Sequence, residues 1–289
     1  MSQLLITGAT GQLGSQIVSE LTSTYPISQL SVLARTIEKG LPFTEKGITV
    51  KIGNYQDPSS LVEAMQGINS VLLISSSDFN DRIGQHKNVI DAAKAAGVQH
   101  IFYTGVAIKD IETSPLKPLL GDHFETEEYI KQSGLTYTFL RNSLYVDVVP
   151  MFIGANTIET GVFFPAGEGK VAFANRKDLA KAIAKIVAKS EHENKIFNLT
   201  GSQSHSFSEI ASYLSELSGK EVPYISPSSA DFENALKGFG LPEPIITMSV
   251  LFAAGIKNND FEEVDNDLKV IIDQEPTSLK AFLKKAYQL

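Results

Sequence analysis

The sequence contains no cysteine among its 289 residues. Without cysteine there is no disulfide, no thiolate metal site and no cysteine nucleophile, and this composition fits a cytoplasmic protein. No apolar run approaches the roughly 20 residues that a membrane-spanning helix needs. The first residues, Met1-Ser2-Gln3, also lack the basic region of a signal peptide. We therefore expect a cytoplasmic protein that does not enter a membrane.

Clusters of basic residues are missing as well. The net charge is -8, and no group of lysines and arginines offers the charge that nucleic-acid phosphates require, so we exclude nucleic acid as a partner. Four histidines (His86, His100, His192 and His205) have no partners at the spacing of metal ligands. We expect these histidines at the surface or in helices, and we predict no metal site.

The N-terminal stretch has the pattern of a phosphate-binding turn. Leu4-Leu5-Ile6 reads as a buried strand, and Gly8, Gly11 and Gly14 follow at a spacing of three before helical periodicity begins. The order of strand, tight turn and helix predicts that a pyrophosphate binds at the helix N-terminus. The residues expected to line it are Gly8, Thr10, Gly11, Gln12 and Leu13.

The end of the second predicted strand indicates which dinucleotide binds. The strand 30–34 is followed by Arg35, at the place where an NAD-binding protein carries an acidic residue. A cation there can pair with the 2′-phosphate of NADP, so the sequence favours NADPH over NADH. The alternative is a solvated surface arginine.

Strands and helices alternate through the first half of the chain. Further strands are predicted at 48–52, 71–74, 99–104 and 135–141, and helices at 57–67, 81–96 and 122–132. This alternation predicts an α/β protein with a doubly wound parallel sheet of the Rossmann type. Ser75, Ser76 and Ser77 follow a central strand at the edge where such sheets bind ligands, so we predict that they contact the cofactor; helix capping is their alternative role.

The pattern changes after residue 141. A hairpin-like run with several glycines begins at Gly161, and a helix at 176–188 and a strand at 195–199 return to the main sheet. Helices near 228–238, 245–254 and 277–286 follow. We predict a cofactor-binding domain at 1–150 and 176–202, and a smaller, mostly helical substrate lobe at 151–175 and 203–289.

Four segments together resemble the NmrA-like atypical short-chain dehydrogenase/reductases. They are residues 7–14, the serines 75–77, residues 134–142 and residues 161–163. Within that family they are most similar to the bacterial NADPH-dependent quinone oxidoreductase subgroup. The resemblance implies a Rossmann domain, a C-terminal substrate lobe, NADP(H) as cofactor and flavin-free reduction of a quinone. Asn142 and Tyr145 match the family loop that covers the nicotinamide, although a loop asparagine is often only a turn residue.

The same resemblance directs attention to His123. Most of the superfamily uses Tyr-x-x-x-Lys, and here His123 occupies the lysine position and Leu119 the tyrosine position. Isoflavone-reductase-like relatives carry a lysine alone. Ketone reduction needs a good acid, whereas quinone reduction produces a delocalised phenolate and needs little, so His123 is our candidate catalytic residue, titrating near about pH 6.5. The alternative is a solvent-facing histidine at a helix start.

Aromatic residues supply the candidate substrate contacts. Tyr103 ends the fifth strand, and Phe152, Phe163 and Phe164 lie near the predicted lobe boundary. They are expected to hold a flat quinone ring, with plain core packing as the alternative.

Two functions follow from these observations. The first is an NADPH-dependent oxidoreductase that transfers hydride to a quinone or a similar aromatic acceptor. The second is a non-catalytic NADP-binding redox sensor of the NmrA type that docks a regulatory protein, which the absent tyrosine and lysine would fit. The aromatic residues favour the enzyme, because a sensor needs no apolar slot for a substrate. A homodimer is left open as the assembly.

Overall fold

The computed structural model describes residues 3–189 and 191–289. The strands in this part of the chain are β1 Leu4–Ile6, β2 Leu30–Ala34, β3 Thr49–Ile52, β4 Ser70–Leu73, β5 His100–Val106, β6 Thr136–Asn142, β7 Val162–Phe163, β8 Lys170–Val171, β9 Lys195–Leu199, β10 His205–Ser206 and β11 Tyr224–Ile225. The α-helices are α1 Gln12–Thr24, α2 Ile37–Thr44, α3 Pro58–Ala64, α4 Arg82–Ala95, α5 Lys117–Ser133, α6 Val149–Ile153, α7 Thr157–Thr160, α8 Arg176–Val187, α9 Phe207–Ser218, α10 Ser229–Gly238, α11 Glu243–Lys257, α12 Asp267–Ile272 and α13 Leu279–Ala286.

Seven strands form one sheet in the order β3-β2-β1-β4-β5-β6-β9. β1 is parallel to both β2 and β4, and β3 and β5 continue the sheet in the same direction. The strand order reverses between β1 and β4, which makes their carboxyl ends the point where ligands bind in such sheets. The predicted doubly wound, Rossmann-like α/β fold is confirmed.

The predicted bounds of the strands in the sheet agree with the observed ones to within one or two residues. Among the helices next to the sheet, α5 differs most from its prediction. It begins at Lys117, five residues before the predicted start at 122. The segment that the prediction left out contains Pro118 and Gly121, two residue types that are unfavourable in a helix interior. Proline is tolerated in the first helical turn, where its missing N–H has no partner to lose. His123 therefore lies beyond the first turn of the helix and not at its start.

The chain divides into two compact units. The first consists of Met1–Val106, Asp122–Arg141 and Leu179–Phe197; the second consists of Ala107–Gly121, Asn142–Asp178 and Asn198–Leu289. These boundaries differ from the predicted 1–150 with 176–202 and 151–175 with 203–289. The division into a cofactor-binding domain and a substrate lobe remains a prediction.

The second unit contains short strands that pair over long distances in sequence. β7 pairs in parallel with β11, and β8 pairs antiparallel with β10. The hairpin predicted at Gly161 is therefore wrong, because its two arms bind different partners. Only their spacing in the sequence suggested that they pair with each other. The short helix α12 was also missed.

Candidate functional site

The turn between β1 and α1 leaves no room for side chains. Gly8 has a φ of 62°, in the left-handed region that favours glycine. The Gly11 N–H donates to the Gly8 carbonyl oxygen over 3.0 Å. A Cβ atom on Gly14 would lie 2.2 Å from that same oxygen and 2.8 Å from the Cα of Ala9. The backbone of α1 thus lies directly against the turn.

The start of α1 has the features of a phosphate site. No side chain caps the helix, whose N-cap residue is Gly11. The first-turn N–H groups and the positive end of the helix dipole are therefore not covered by a capping side chain. Thr10, Gly11 and Gln12 are exposed, whereas Leu13 is buried and can serve a ligand only through its backbone.

A hydrogen-bonded group that the sequence analysis missed fixes β1 against β4. The Thr7 hydroxyl donates to the Leu72 carbonyl oxygen over 3.0 Å and accepts from the Ile74 N–H over 3.2 Å. The Tyr55 hydroxyl donates to Thr7 Oγ1 over 2.5 Å. Burial raises the pKa of Tyr55, so its hydroxyl keeps the proton that this bond needs. Tyr55 comes from the loop after β3, and no local pattern in the sequence indicates its partner.

Arg35 follows β2 directly and is exposed. Within the described residues its guanidinium makes no ion pair with a carboxylate. The charge predicted to meet a 2′-phosphate is thus not neutralised by the protein at this position. The prediction that Arg35 contacts the cofactor stays a prediction.

Ser76 is the most heavily bonded of the three serines after β4. Its N–H donates to His86 Nε2 over 2.9 Å, and its carbonyl oxygen accepts from Arg82 Nε over 2.9 Å. Its hydroxyl donates to Gln85 Oε1 over 2.7 Å and accepts from the Asp78 N–H over 3.1 Å. Every polar atom of Ser76 is therefore used inside the protein. Ser76 fixes this loop, and its side chain has no remaining hydrogen for a cofactor.

The neighbouring serines differ from Ser76. The Ser75 N–H donates to Thr104 Oγ1 over 2.9 Å, but its hydroxyl makes no hydrogen bond within residues 3–189 and 191–289. Ser77 is exposed. Of the three serines predicted to contact the cofactor, Ser75 is therefore the one whose backbone is bonded to β5 and whose hydroxyl remains available to a ligand.

His86 was expected at the surface or in a helix; the helix is correct and the surface is wrong. It lies in α4, is fully buried, and its Nδ1 is 2.9 Å from Thr126 Oγ1. Burial lowers the pKa of His86 to about 3, and the charge of Arg82 acts in the same direction. The prediction failed because α4 turns Arg82, Gln85 and His86 toward the core, so polarity along this helix does not mark its exposed face.

His123 lies in α5 with only 8% of its surface exposed, and its Nδ1 is 2.8 Å from the Tyr103 hydroxyl oxygen. Burial lowers the pKa of His123 well below its usual value, and the nearby Arg82 and His86 lower it further. The alternative of a solvent-facing histidine is therefore wrong, and the pKa is shifted away from the ordinary value that was expected. The direction of this shift favours the neutral imidazole.

Tyr103 is fully buried in the core of the first unit. Its ring packs edge-on against His86 and Phe139, with centroid distances of 5.4 and 6.4 Å. No part of the side chain is exposed for contact with a substrate. Its substrate role stays an untested prediction, and the geometry favours the alternative of core packing with a bond to His123.

Two ion pairs include residues of α5 that are close to His123 in the sequence. Arg82 donates to Asp122 Oδ1 over 3.1 Å while its side chain is 3% exposed. Arg141 donates to both carboxylate oxygens of the buried Glu127, over 2.9 and 2.6 Å. The buried Arg82 guanidinium is the one that acts on His123, and it disfavours a positive charge on the imidazole.

The second unit carries the predicted Asn142 and Tyr145. The Asn142 Nδ2 donates to the Tyr145 hydroxyl oxygen over 3.3 Å, while Asn142 Oδ1 is buried without a hydrogen-bond partner. Burial raises the pKa of Tyr145. The Arg176 guanidinium lies 4.7 Å above the Tyr145 ring and pairs with Asp147. An unpaired buried acceptor is costly unless a donor arrives, and an amide group of a ligand would supply one.

The predicted phenylalanines belong to an aromatic cluster within the second unit. Phe164 is fully buried and contacts Phe152, Phe207 and Phe232, with centroid distances of 5.0, 4.4 and 5.5 Å. Phe163, by contrast, is 37% exposed. The cluster has the form of a core with Phe163 at its surface. It stays a prediction that Phe152, Phe163 and Phe164 contact the substrate. Of these three side chains, Phe152 and Phe163 have exposed surface for such a contact.

Other classes of site have no support in the described part of the chain. No three histidine, cysteine, aspartate or glutamate side chains within residues 3–189 and 191–289 are placed to hold a metal ion. No helix among these residues is long and apolar enough to cross a membrane.

Comparison with known proteins gives full-length matches. The model of the NmrA-like family matches residues 1–285. Quinone oxidoreductase 2 of Escherichia coli is 40% identical over 277 residues, which are 96% of each chain. The crystal structure of NADPH-dependent quinone oxidoreductase from Escherichia coli complexed with NADPH superimposes with a TM-score of 0.93 at 37% identity, covering 98% of this chain and 99% of that one. Triphenylmethane reductase of Citrobacter sp., complexed with NADP(H), gives a TM-score of 0.90 at 36% identity, with the same coverage.

Proposed function

The chain belongs to the NmrA-like family, and from this membership we propose that it is an NADPH-dependent oxidoreductase that transfers hydride to a quinone-type acceptor without flavin. The observation that carries the proposal is the 40% identity to quinone oxidoreductase 2 across 96% of both chains. The family resemblance inferred from the sequence is thereby confirmed. Related reductases bound to NADPH and NADP(H) support the enzyme over the non-catalytic sensor.

The residues present fit NADP(H). The turn at Gly8, Thr10, Gly11, Gln12 and Leu13 would hold the pyrophosphate, because a Cβ at Gly14 has no space and no side chain caps α1. Arg35 would hold the 2′-phosphate, and Ser75 would add a hydroxyl.

In the second unit, Asn142 and Tyr145 are proposed for the nicotinamide, whose carboxamide N–H would satisfy Asn142 Oδ1. When bound, NADPH supplies the hydride.

A quinone sets modest demands on the protein. Accepting a hydride converts it to the monoanion of a hydroquinone, in which the charge is delocalised over the ring. A hydrogen-bond donor placed at the oxygen is sufficient to favour this product, so a strong acid is not needed. The absence of the Tyr-x-x-x-Lys pair is consistent with such an acceptor.

The setting of the protein is part of the proposal. We infer a cytoplasmic location from the absence of cysteine, and no nucleic-acid partner from the net charge of -8. A homodimer remains the proposed alternative to a monomer.

The test is NADPH oxidation by the purified, flavin-free protein with benzoquinone and a naphthoquinone. We expect the rate to saturate with quinone and to be unchanged by added FAD or FMN. A parallel titration measures NADPH binding without turnover. Tight NADPH binding with only the background rate across a panel of quinones would replace the enzyme by the sensor.

A further inference from the structure

Four buried polar side chains from three elements lie together in the first unit. They are His86 of α4, Tyr103 of β5, and His123 and Thr126 of α5, and we call them the His123 cluster. Three of them are fully buried and His123 is 8% exposed. Buried polar groups nearly always have hydrogen-bond partners, so the protons of this cluster can be assigned from its geometry.

The protons on His86 and Thr126 are fixed first. His86 Nε2 accepts from the Ser76 N–H, so the proton of the neutral imidazole is on Nδ1 and points to Thr126 Oγ1 at 2.9 Å. The Thr126 hydroxyl in turn donates to the Asp122 carbonyl oxygen over 2.7 Å. Both donors of this half of the cluster are thereby used.

The Tyr103 proton then decides the state of His123. Two groups face the fully buried Tyr103 hydroxyl: Thr126 Oγ1, which already accepts the His86 proton, and His123 Nδ1, which lies 2.8 Å away and accepts from no other donor among the described residues. Since Nδ1 accepts this proton, the proton of the neutral His123 imidazole is on Nε2. That Nε2 makes no hydrogen bond to any residue in 3–189 and 191–289.

We propose that Tyr103 is a positioning residue that holds His123 as a neutral Nε2–H donor, and that this donor stabilises the oxyanion of the reduced quinone by a hydrogen bond. The proposal rests on the proposed function and adds a role for Tyr103, whose side chain is fully buried. One hydride reduces the quinone to the hydroquinone monoanion, and the proton that completes the hydroquinone comes from water. His123 keeps its own proton throughout.

The charges around His123 keep it neutral. From α4, Arg82 and His86 face it; from β5, Tyr103 binds its Nδ1. On its own helix, Asp122 is paired with Arg82 and Glu127 is paired with Arg141. Burial and the Arg82 charge both disfavour an imidazolium. The contribution of His123 to the rate should therefore change less between about pH 5.5 and 8.5 than that of a histidine with the ordinary pKa of about 6.5.

The tautomer can be measured without any turnover. Protein labelled with ¹³C and ¹⁵N in its five histidines is examined by NMR over this pH range, and the signals of His123 are assigned with His123→Gln. We expect a neutral Nε2–H imidazole in the wild type. Tyr103→Phe removes the hydroxyl and should shift His123 toward the Nδ1–H tautomer. The matched control is Tyr137→Phe on β6, whose ring stacks on Phe139 and which should change nothing.

An Nδ1–H tautomer or an imidazolium for wild-type His123 would overturn the proposal. So would an unchanged Nδ1 chemical shift of His123 in Tyr103→Phe, because that nitrogen must respond to the loss of the Tyr103 donor. These results do not depend on quinone turnover. If the wild type has no quinone activity while the tautomer behaves as expected, the proposed function fails and the assignment of the donor stands.

Kinetics then separates positioning from a structural role. Tyr103→Phe should lower kcat about tenfold with little change in NADPH binding. The reason is that the hydrogen bond from His123 Nε2–H to the quinone oxygen, which strengthens as negative charge develops there, is weakened. His123→Gln places an amide N–H near the position of Nε2 and should retain more activity than His123→Ala. Equal activity of the glutamine and alanine variants, with both correctly folded, would contradict donation by Nε2–H.

Discussion

The glycine turn at residues 8–14 and the His123 cluster belong to the same unit but are built in different ways. The turn is made by backbone within seven consecutive residues, and its tightest contact joins Gly14 to Gly8. The cluster joins side chains separated by 20 residues, Tyr103 and His123, and by 40 residues, His86 and Thr126. A local device leaves a pattern in the sequence, whereas a cluster assembled by packing leaves none.

The largest expected effect tests the local device. Gly14→Ala would place a Cβ 2.2 Å from the Gly8 carbonyl oxygen, so either the turn or α1 must move. Overpacking usually costs about 1–3 kcal/mol, and we expect at least the upper end here because both contacting groups are backbone. Denaturant unfolding and NADPH titration measure the losses of stability and binding.

The matched control is Gly238→Ala, also in a helix but with no atom within 4 Å of the new Cβ. It should be neutral or slightly stabilising, by up to about 1 kcal/mol, because alanine is the better helix former. If Gly14→Ala behaved like this control, the turn would have more freedom than its backbone contacts indicate.

The same contrast explains what could be predicted from the sequence. β2 Leu30–Ala34 and β9 Lys195–Leu199 were predicted with their observed bounds, because apolar runs and turn residues are local signals. The capping box of Ser206 and Glu209 is likewise formed within one helical turn, so it too is a local feature.

The burial of His86 and His123 could not be predicted in this way. It depends on which face of α4 and α5 packs against the sheet. Because these buried faces carry polar residues, the hydrophobic pattern of the sequence does not identify them. Tyr55 was missed for a related reason, since its partner Thr7 is 48 residues away.

A smaller effect is expected at Arg35, which the sequence did indicate. A charge-assisted bond to the 2′-phosphate contributes about 1.5–3 kcal/mol, or on the order of ten- to a hundredfold in affinity. Arg35→Ala should weaken NADPH binding by this factor and leave NADH binding nearly unchanged. Titration of both nucleotides against both proteins measures the difference. If the ratio of NADPH to NADH affinity were the same in the wild type and in Arg35→Ala, Arg35 would be a solvated surface residue.

The non-local cluster should appear in the pH dependence of stability. His86 has a folded-state pKa of about 3, well below its value in the unfolded chain. The unfolded state therefore binds more protons, and stability is lost as the pH falls below about 6.5 toward the folded pKa. For this one residue the loss between pH 7.5 and 5 is about 2 kcal/mol.

His86→Gln isolates this contribution, because glutamine does not titrate yet keeps an acceptor for the Ser76 N–H. Unfolding free energies at the two pH values should differ by about 2 kcal/mol less in the variant than in the wild type. An identical pH dependence in the two proteins would mean that His86 is not held neutral by the fold.

The smallest expected effect separates two adjacent serines, one available to a ligand and one used by the protein. The Ser75 hydroxyl makes no hydrogen bond within residues 3–189 and 191–289, whereas the Ser76 hydroxyl binds Gln85 and Asp78. Ser75→Ala should weaken NADPH binding by about two- to tenfold, the range of a neutral hydrogen bond of about 0.5–1.5 kcal/mol, with little change in stability. Ser76→Ala should do the reverse, because it leaves Gln85 Oε1 buried without this donor, which costs about 1–3 kcal/mol of stability. Nucleotide titration and denaturant unfolding of both variants give a two-by-two comparison. If Ser76→Ala weakened NADPH binding as much as Ser75→Ala and left stability unchanged, the Ser76 hydroxyl would belong to the cofactor site, and its bonds to Gln85 and Asp78 would be exchanged when the cofactor binds.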